Sequence, residues 1–314
     1  MHILRKYYPN MMKQYNSLGF SYSYLEKNII SFIEYCESEY PDIATITSEC
    51  ALGWIYSKKS KTRKVLGDRI IAVKKFGEYL NSIGIESYIP NIYVGTDYHK
   101  PVSLLNDNQL GLFFKCCDSI EPNKRCKNRE YVIPVIFRLI YGCGLRNSEA
   151  TNIKMNDIDL DEGKIRIIHS KGDKDRIVYM DKSLVNLCNR FNEVQEVMFP
   201  NRKYFFNISG KKLSKHNIDD YFDKILRESC LIEQFVIKPT VHGLRHLFAV
   251  NNLRKCLSLG EDMDVYIKYL SQYMGHESTK ETMYYIHIFE TLLPEYRERM
   301  EFLTKDIEVY YEEF

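Results

Sequence analysis

"TVHGLRHLFAV", residues 240–250, decides how the rest of the chain is read. Val241, Leu244, Leu247, Phe248 and Val250 are the apolar positions of a core helix, yet His242, Arg245 and His246 sit inside the same run. Helix residues three apart lie on one face, so His242 and Arg245 point the same way and can share a target, while most of the apolar set faces elsewhere. An isolated His-x-x-Arg is more often a buried pair that satisfies carbonyls or an acid. No near neighbour in sequence supplies that acid, so a partner has to come from a distant segment.

Working outward from this helix, three other segments carry unusual polar residues. In "GCGLRNSEA", residues 142–150, Arg146 follows two glycines and precedes a predicted helix, where backbone amides and a guanidinium can converge on an anion. Glu149, three residues on, can brace that site by accepting hydrogen bonds; taken alone, the two read as a first-turn ion pair. "KIRIIHSKGDKDRIVYM", residues 164–180, has two β-branched runs flanking "KGDK" and predicts a β-hairpin with Lys171 at its turn. "YMGHESTKETMYYIH", residues 273–287, sets His276 beside a glycine stop, followed by Tyr284 and Tyr285. Each feature has an ordinary structural explanation when judged singly.

Length and composition bound the possibilities. A chain of 314 residues is long enough for two domains, each with its own core. It has no apolar stretch of membrane-spanning length and no secretory N-terminus, so an intracellular protein is expected. Nine scattered cysteines lack the paired spacing of a disulfide framework or a zinc site. The net charge of +2 hides a division: residues 1–103 hold 13 Lys/Arg against 10 Asp/Glu, residues 104–300 hold 30 against 27, and residues 301–314 hold 1 against 5. An acidic tail masks a mildly basic body, so local clustering decides whether nucleic acid is a partner.

The N-terminal third reads as helical, with Leu25, Ile29, Phe32, Ile33 and Cys36 at helical spacing, then Leu66, Ile70, Val73 and Leu80 on a second helix. The approach and polar face of that second helix are basic: Lys58, Lys59, Lys61, Arg63, Lys64, Arg69, Lys74 and Lys75, with Asp68 the single acid between 58 and 75. Such a face is either simply solvated or in contact with phosphates. Residues 94–106, within a stretch holding two prolines and a glycine, read as a linker. Beyond it, helices are expected at 107–118, 129–141, 182–198, 215–229, 241–256, 263–274 and 279–302.

The order Arg in G-L-R-x-S-E, Lys in a hairpin, His-x-x-Arg in H-x-L-R-H, then Gly-His, then Tyr nine residues later resembles the tyrosine recombinases of the phage-integrase type. The resemblance is strongest over 104–290. It implies a mainly α fold with a small antiparallel β-sheet: a helical, SAM-like core-binding domain at 1–93, the linker, a catalytic domain at 107–289, and a C-terminal segment at 290–314 that docks on a neighbouring subunit. It further implies double-stranded DNA as partner, a homotetramer on two sites, and Lys58, Lys59, Lys61, Arg63 and Lys64 as DNA contacts. Arg146 and Arg245 would clamp the scissile phosphate, Tyr285 would attack it, and Lys171 would protonate the leaving 5′-hydroxyl. His242 would assist proton transfer and His276 would hydrogen-bond a phosphate oxygen. Tyr285, not Tyr284, stands nine residues after His276 and two before His287. Two guanidiniums can grip the phosphate oxygens without a metal or nucleotide cofactor.

Two departures from the family pattern stand out: the segment between Arg245 and His276 is longer than usual, and Pro239 is displaced relative to His242. Competing readings are a type IB topoisomerase-like enzyme, which relaxes DNA by similar chemistry, and a non-catalytic DNA-binding protein on the same scaffold.

Overall fold

The computed structural model describes residues 3–17, 23–57, 62–94, 102–124, 126–168 and 175–276. The chain divides into two compact units, Met1–Lys100 and Pro101–Phe314.

In the first unit, four helices enclose one core: α1 (Ile3–Ser17), α2 (Ser23–Glu39), α3 (Ser48–Ser57) and α4 (Arg63–Ser82). The periodic residues of α2 all turn inward: Leu25, Ile29, Phe32, Ile33 and Cys36 are buried. On α4, Ile70, Val73 and Leu80 do the same, joined by Phe76. Thr62 caps α4 by accepting from the Val65 amide at 3.3 Å, which satisfies one of the orphan donors of the first turn. The basic face is not uniform. Arg63, Lys64 and Lys74 are exposed, and Lys75 pairs with Glu78 at 2.8 Å. Arg69 leaves that face: it is 4% exposed, lies over the Trp54 ring at 4.2 Å, and donates to the Ile55 carbonyl at 3.0 Å and to Ser57 Oγ at 3.1 Å. It therefore closes the carboxyl end of α3, where backbone carbonyls lack intrahelical donors. Lys58, Lys59 and Lys61 lie outside the described residues.

The second unit is built on α6 (Arg129–Cys143), apolar on nearly every side and packed by α5 (Asp107–Asp118), α8 (Lys182–Met198) and α10 (Val241–Leu259). Phe113 of α5, Phe137 of α6 and Phe222 of α9 (Lys215–Glu228) meet edge-on or tilted, with centroids 5.0–5.7 Å apart. Each such ring contributes about 1.5–3 kcal/mol by burial. A three-stranded antiparallel sheet lies beside this core: β1 (Ile158–Asp159), β2 (Lys164–Ile167) and β3 (Arg176–Tyr179). The pairing of β2 with β3 sets Ile165 opposite Val178 and Ile167 opposite Arg176, so the expected hairpin is present. Its connection, with Lys171, lies outside the described residues.

A second hairpin, β4 (Asn207–Ile208) with β5 (Lys211–Lys212), was not anticipated from the sequence. Two residues per strand leave no period to read; Ser209 and Gly210, both at positive φ, make the turn. Finally α7 (Asn147–Asn152) follows α6 closely, and α11 (Met263–Met274) packs on α10. Among the described residues no helix is long and apolar enough to cross a membrane.

Candidate active site

Two helix ends build the site. Helix α6 stops at Cys143 because Gly144 takes the left-handed conformation, φ 64°, and its amide bonds back to Ile140. A Cβ on Gly144 would also stand 2.5 Å from the Phe248 ring, so the position excludes a side chain twice over. The chain then turns, and Arg146 occupies the residue before α7 in an extended conformation. Helix α11 stops the same way: Gly275 has φ 65°, and the His276 amide bonds to the Ser271 carbonyl at 3.1 Å. Both termini turn carbonyl oxygens toward α10.

Arg245 of α10 fills the gap between these ends. It is 1% exposed, and it donates to the Gly144 carbonyl at 2.8 Å and the Met274 carbonyl at 2.7 Å. The same nitrogen that bonds Met274 stands 3.0 Å from His276 Nε2. Arg146 donates to the Gly275 carbonyl at 2.8 Å and to Glu149 Oε1 at 2.9 Å, while its own amide donates to Glu149 Oε2 at 2.8 Å. The distant acid that His242 and Arg245 lacked in sequence is thus Glu149, whose Oε2 lies 3.8 Å from Arg245.

A third guanidinium closes the cluster. Arg176 of β3 donates to both oxygens of Glu149 at 2.8 Å and to the Tyr273 carbonyl at 2.8 Å. The sequence reading missed Arg176. Its signal was present: strand residues two apart share a face, and Val178 is buried, so Arg176 is a charge on the inward side of a strand.

The electrostatics follow from these contacts. Among the described residues, three guanidiniums against one carboxylate leave an excess of two positive charges beside two helix ends. Burial opposes ionisation of Glu149, but the hydrogen bonds and charge of Arg176, the Arg146 amide and the charge of Arg245 outweigh it and hold the carboxyl at about 2. Burial and then the charges of Arg245 and Arg146 depress His276 to about 3 and His242 to about 4, with Lys215 adding to the effect on His242. The His242 ring still reaches solvent, while His246, stacked edge-on against it at 4.4 Å, is buried and depressed to about 3. All three imidazoles are therefore neutral at pH 7.

The pocket opens on both sides of Arg146. One cavity, about 490 Å³, is lined by Ser148, Lys215, Asp219, His242 and the Lys238–Asp223 ion pair with Arg146; another, about 330 Å³, by Glu149, Lys154, Asp157, Arg166 and Tyr204 with Arg146. This shape and charge suit an anion that is part of something longer than the pocket, with neighbouring cations on either side. Among the described residues no three His, Cys, Asp or Glu side chains are grouped to hold a metal ion.

Of the residues expected from sequence, the structure gathers Arg146, Glu149, His242, Arg245 and His276 in one place. Lys171 and Tyr285 lie outside the described residues, as does the segment 290–314.

Comparison with known proteins bears on what such a site serves. Residues 105–291 match the phage integrase family model. The chain is 27% identical to the tyrosine recombinase XerA of Saccharolobus solfataricus, over 89% of this chain and 85% of that protein. Its fold is similar to a XerH site-specific recombinase bound to palindromic difH substrate, with TM-score 0.63 and 20% identity, covering 89% of this chain and 79% of that one. A lambda integrase dimer bound to a core site is similar with TM-score 0.60 and 14% identity, covering 88% and 94%. The family model spans more than half of the sequence, and the chain belongs to the phage integrase family of tyrosine recombinases, enzymes that cleave and rejoin DNA.

Proposed function

We propose that this chain carries out site-specific recombination by placing one backbone phosphate of duplex DNA between Arg146 and Arg245. The observation that carries this reading is the convergence of Arg146, Arg245 and His276 around Glu149, which leaves uncompensated positive charge at an open pocket. In the reaction the Tyr285 oxygen attacks phosphorus, the bond from phosphorus to the 5′-oxygen breaks, and a 3′-phosphotyrosyl link forms. The new ester keeps the bond energy, so the attack of a 5′-hydroxyl on it reseals a strand without ATP.

The roles of the remaining groups follow from charge. The pentacoordinate state carries more negative charge than the ester, and two planar guanidiniums bind its oxygens more tightly than those of the ground state. In this reading His276, 3.0 Å from Arg245, hydrogen-bonds a phosphate oxygen. His242 stands at the mouth and assists transfer of the tyrosine proton; an arriving phosphate anion offsets the guanidinium charges and raises its proton affinity. Lys171 delivers a proton to the leaving 5′-oxygen. Glu149 braces the clamp. Lys58, Lys59, Lys61, Arg63 and Lys64 contact flanking phosphates from the first unit, which serves as the core-binding domain. The active assembly is a homotetramer on two DNA sites, with residues 290–314 docked on the neighbouring subunit, and it works in the cytoplasm on the nucleoid.

The test is a nicked duplex drawn from the ends of the genetic neighbourhood that encodes the chain, so that the cleaved fragment diffuses away and traps the adduct. A covalent link mapped to Tyr285 and abolished by Tyr285→Phe is expected without added metal. A link to a serine, or strict dependence on magnesium, overturns the mechanism.

A further inference from the structure

A carboxylate has two oxygens and about four lone-pair positions. On Glu149 all four are taken: Oε1 accepts from Arg146 Nη1 at 2.9 Å and Arg176 Nη1 at 2.8 Å, and Oε2 accepts from the Arg146 amide at 2.8 Å and Arg176 Nη2 at 2.8 Å. Arg245 is the next donor, and it is held outside hydrogen-bond range, at 3.8 Å. Arg176 is itself fixed at a third point by the Tyr273 carbonyl and is almost enclosed, with 8% of its side chain exposed.

We infer that Arg176 is a positioning residue for DNA cleavage: by filling half of the acceptor sites of Glu149, it prevents that carboxylate from capturing Arg245. This rests on the assignment of Arg146 and Arg245 to the scissile phosphate. If Arg176 is removed, two lone-pair positions open on a buried anion, and the nearest cation able to fill them is Arg245. A guanidinium drawn fully onto Glu149 is turned away from the phosphate and has part of its charge cancelled. The cluster also gives up one of its three guanidiniums, so its excess of positive charge falls from two to one. Gly275 belongs to the same device. A Cβ there would stand 3.0 Å from Arg176 Nη1 and 3.2 Å from its Cδ, so the glycine that ends α11 also makes room for this guanidinium.

The role differs from that of a structural strut in one measurable respect: the damage done by losing Arg176 is caused by the charge left on Glu149. The experiment measures single-turnover formation of the tyrosine adduct on the nicked duplex at saturating DNA, for wild type, Arg176→Gln, Arg176→Lys and the double variant Glu149→Gln/Arg176→Gln. Thermal melting and duplex affinity are followed in parallel. Arg176→Gln is expected to slow cleavage on the order of 10²-fold, as for loss of one preorganised donor, while the dissociation constant moves by less than about threefold. Arg176→Lys, which fills one acceptor position, is expected to fall between. The double variant is expected to cleave about tenfold faster than Arg176→Gln alone, because the trap has been neutralised.

A double variant as slow as Arg176→Gln, or slower, overturns the inference. So does Arg176→Lys cleaving at the wild-type rate with a wild-type melting point, which also serves should Arg176→Gln fail to fold. Absence of any tyrosine adduct in wild type overturns the recombinase mechanism and this inference with it; an adduct in wild type with an equal rate in Arg176→Gln overturns the inference alone.

Discussion

Each unit of the molecule buries an arginine against the carboxyl end of a helix, and the two differ in a way that separates architecture from chemistry. Arg69 lies on Trp54 and donates to Ile55 and Ser57; among the described residues no acidic side chain pairs with it and no second guanidinium stands beside it. Arg245 also donates to helix-end carbonyls, but shares its surroundings with Arg146, Arg176 and the single carboxylate of Glu149. One buried cation at a helix terminus is stabilised by the terminal carbonyls and completes a fold. Three of them around one acid leave charge over, and that surplus needs an external anion.

The contrast breaks most easily at the arginines themselves. Arg245→Ala is expected to slow adduct formation on the order of 10²- to 10³-fold, measured in single turnover on the nicked duplex. Arg69→Met is expected to leave that rate within a few fold. It should instead lower the melting temperature, through loss of two hydrogen bonds and a cation–π interaction together worth about 2–3 kcal/mol. Comparable loss of cleavage from both would show that the distinction between them is false.

Gly275→Ala gives the next largest effect. It forces a side chain into left-handed backbone and against Arg176, at a cost of about 1–2 kcal/mol from the backbone alone. Cleavage should fall more than the loss of folded protein accounts for, because the Gly275 carbonyl accepts from Arg146 and its missing side chain leaves the space that Arg176 occupies. Gly260, which ends α10 with φ 70° and faces open space where a Cβ would stand, is the control: alanine there should cost only stability.

The same surplus charge predicts how stability varies with pH. His242, His246 and His276 are depressed from 6.5 in the folded chain, so on acidification the unfolded chain takes up protons first. The contribution of these imidazoles to stability is then constant above about pH 6.5 and declines from there toward pH 3–4. Glu149, depressed from 4.5 to about 2, adds a loss between those values of the same sign. Denaturant titration across about pH 3–8 checks this. Duplex DNA should weaken the decline in the upper part of the window, since a bound phosphate raises the imidazole values. An unchanged profile would place the phosphate elsewhere.

The smallest effect concerns the exposed cations of the first unit. Replacing Arg63 or Lys64 by alanine should reduce the slope of log affinity against log salt by about one for each phosphate that is no longer neutralised, with little change in the rate at saturating DNA. No change in slope would make that face merely solvated.

Much of this was legible in the order of residues. The periods of α2, α4, α8 and α11 survive into the fold because each of these helices buries one stripe, α10 survives as a helix enclosed on nearly every side, and the hairpin survives because its strands alternate. Arg146, Glu149, His242, Arg245 and His276 were visible through their neighbours, above all glycines whose left-handed conformation few other residues adopt. What escaped depends on tertiary packing. Arg69 reads as one more surface cation, since only the position of Trp54 makes it internal. Arg176 signals itself only through the alternation of its strand, since its partners, Glu149 27 residues earlier and the Tyr273 carbonyl, come from distant segments. β4 and β5 are too short to carry a pattern.

The carbonyl ends of α6 and α11 hold Arg245 in place through the protein's own backbone. An anion site held in this way does not discriminate by source, so sulfate or inorganic phosphate in a buffer competes for it. Such salts should raise the melting temperature by mass action while they inhibit cleavage, and a preparation at its most heat-resistant in phosphate would be at its least active.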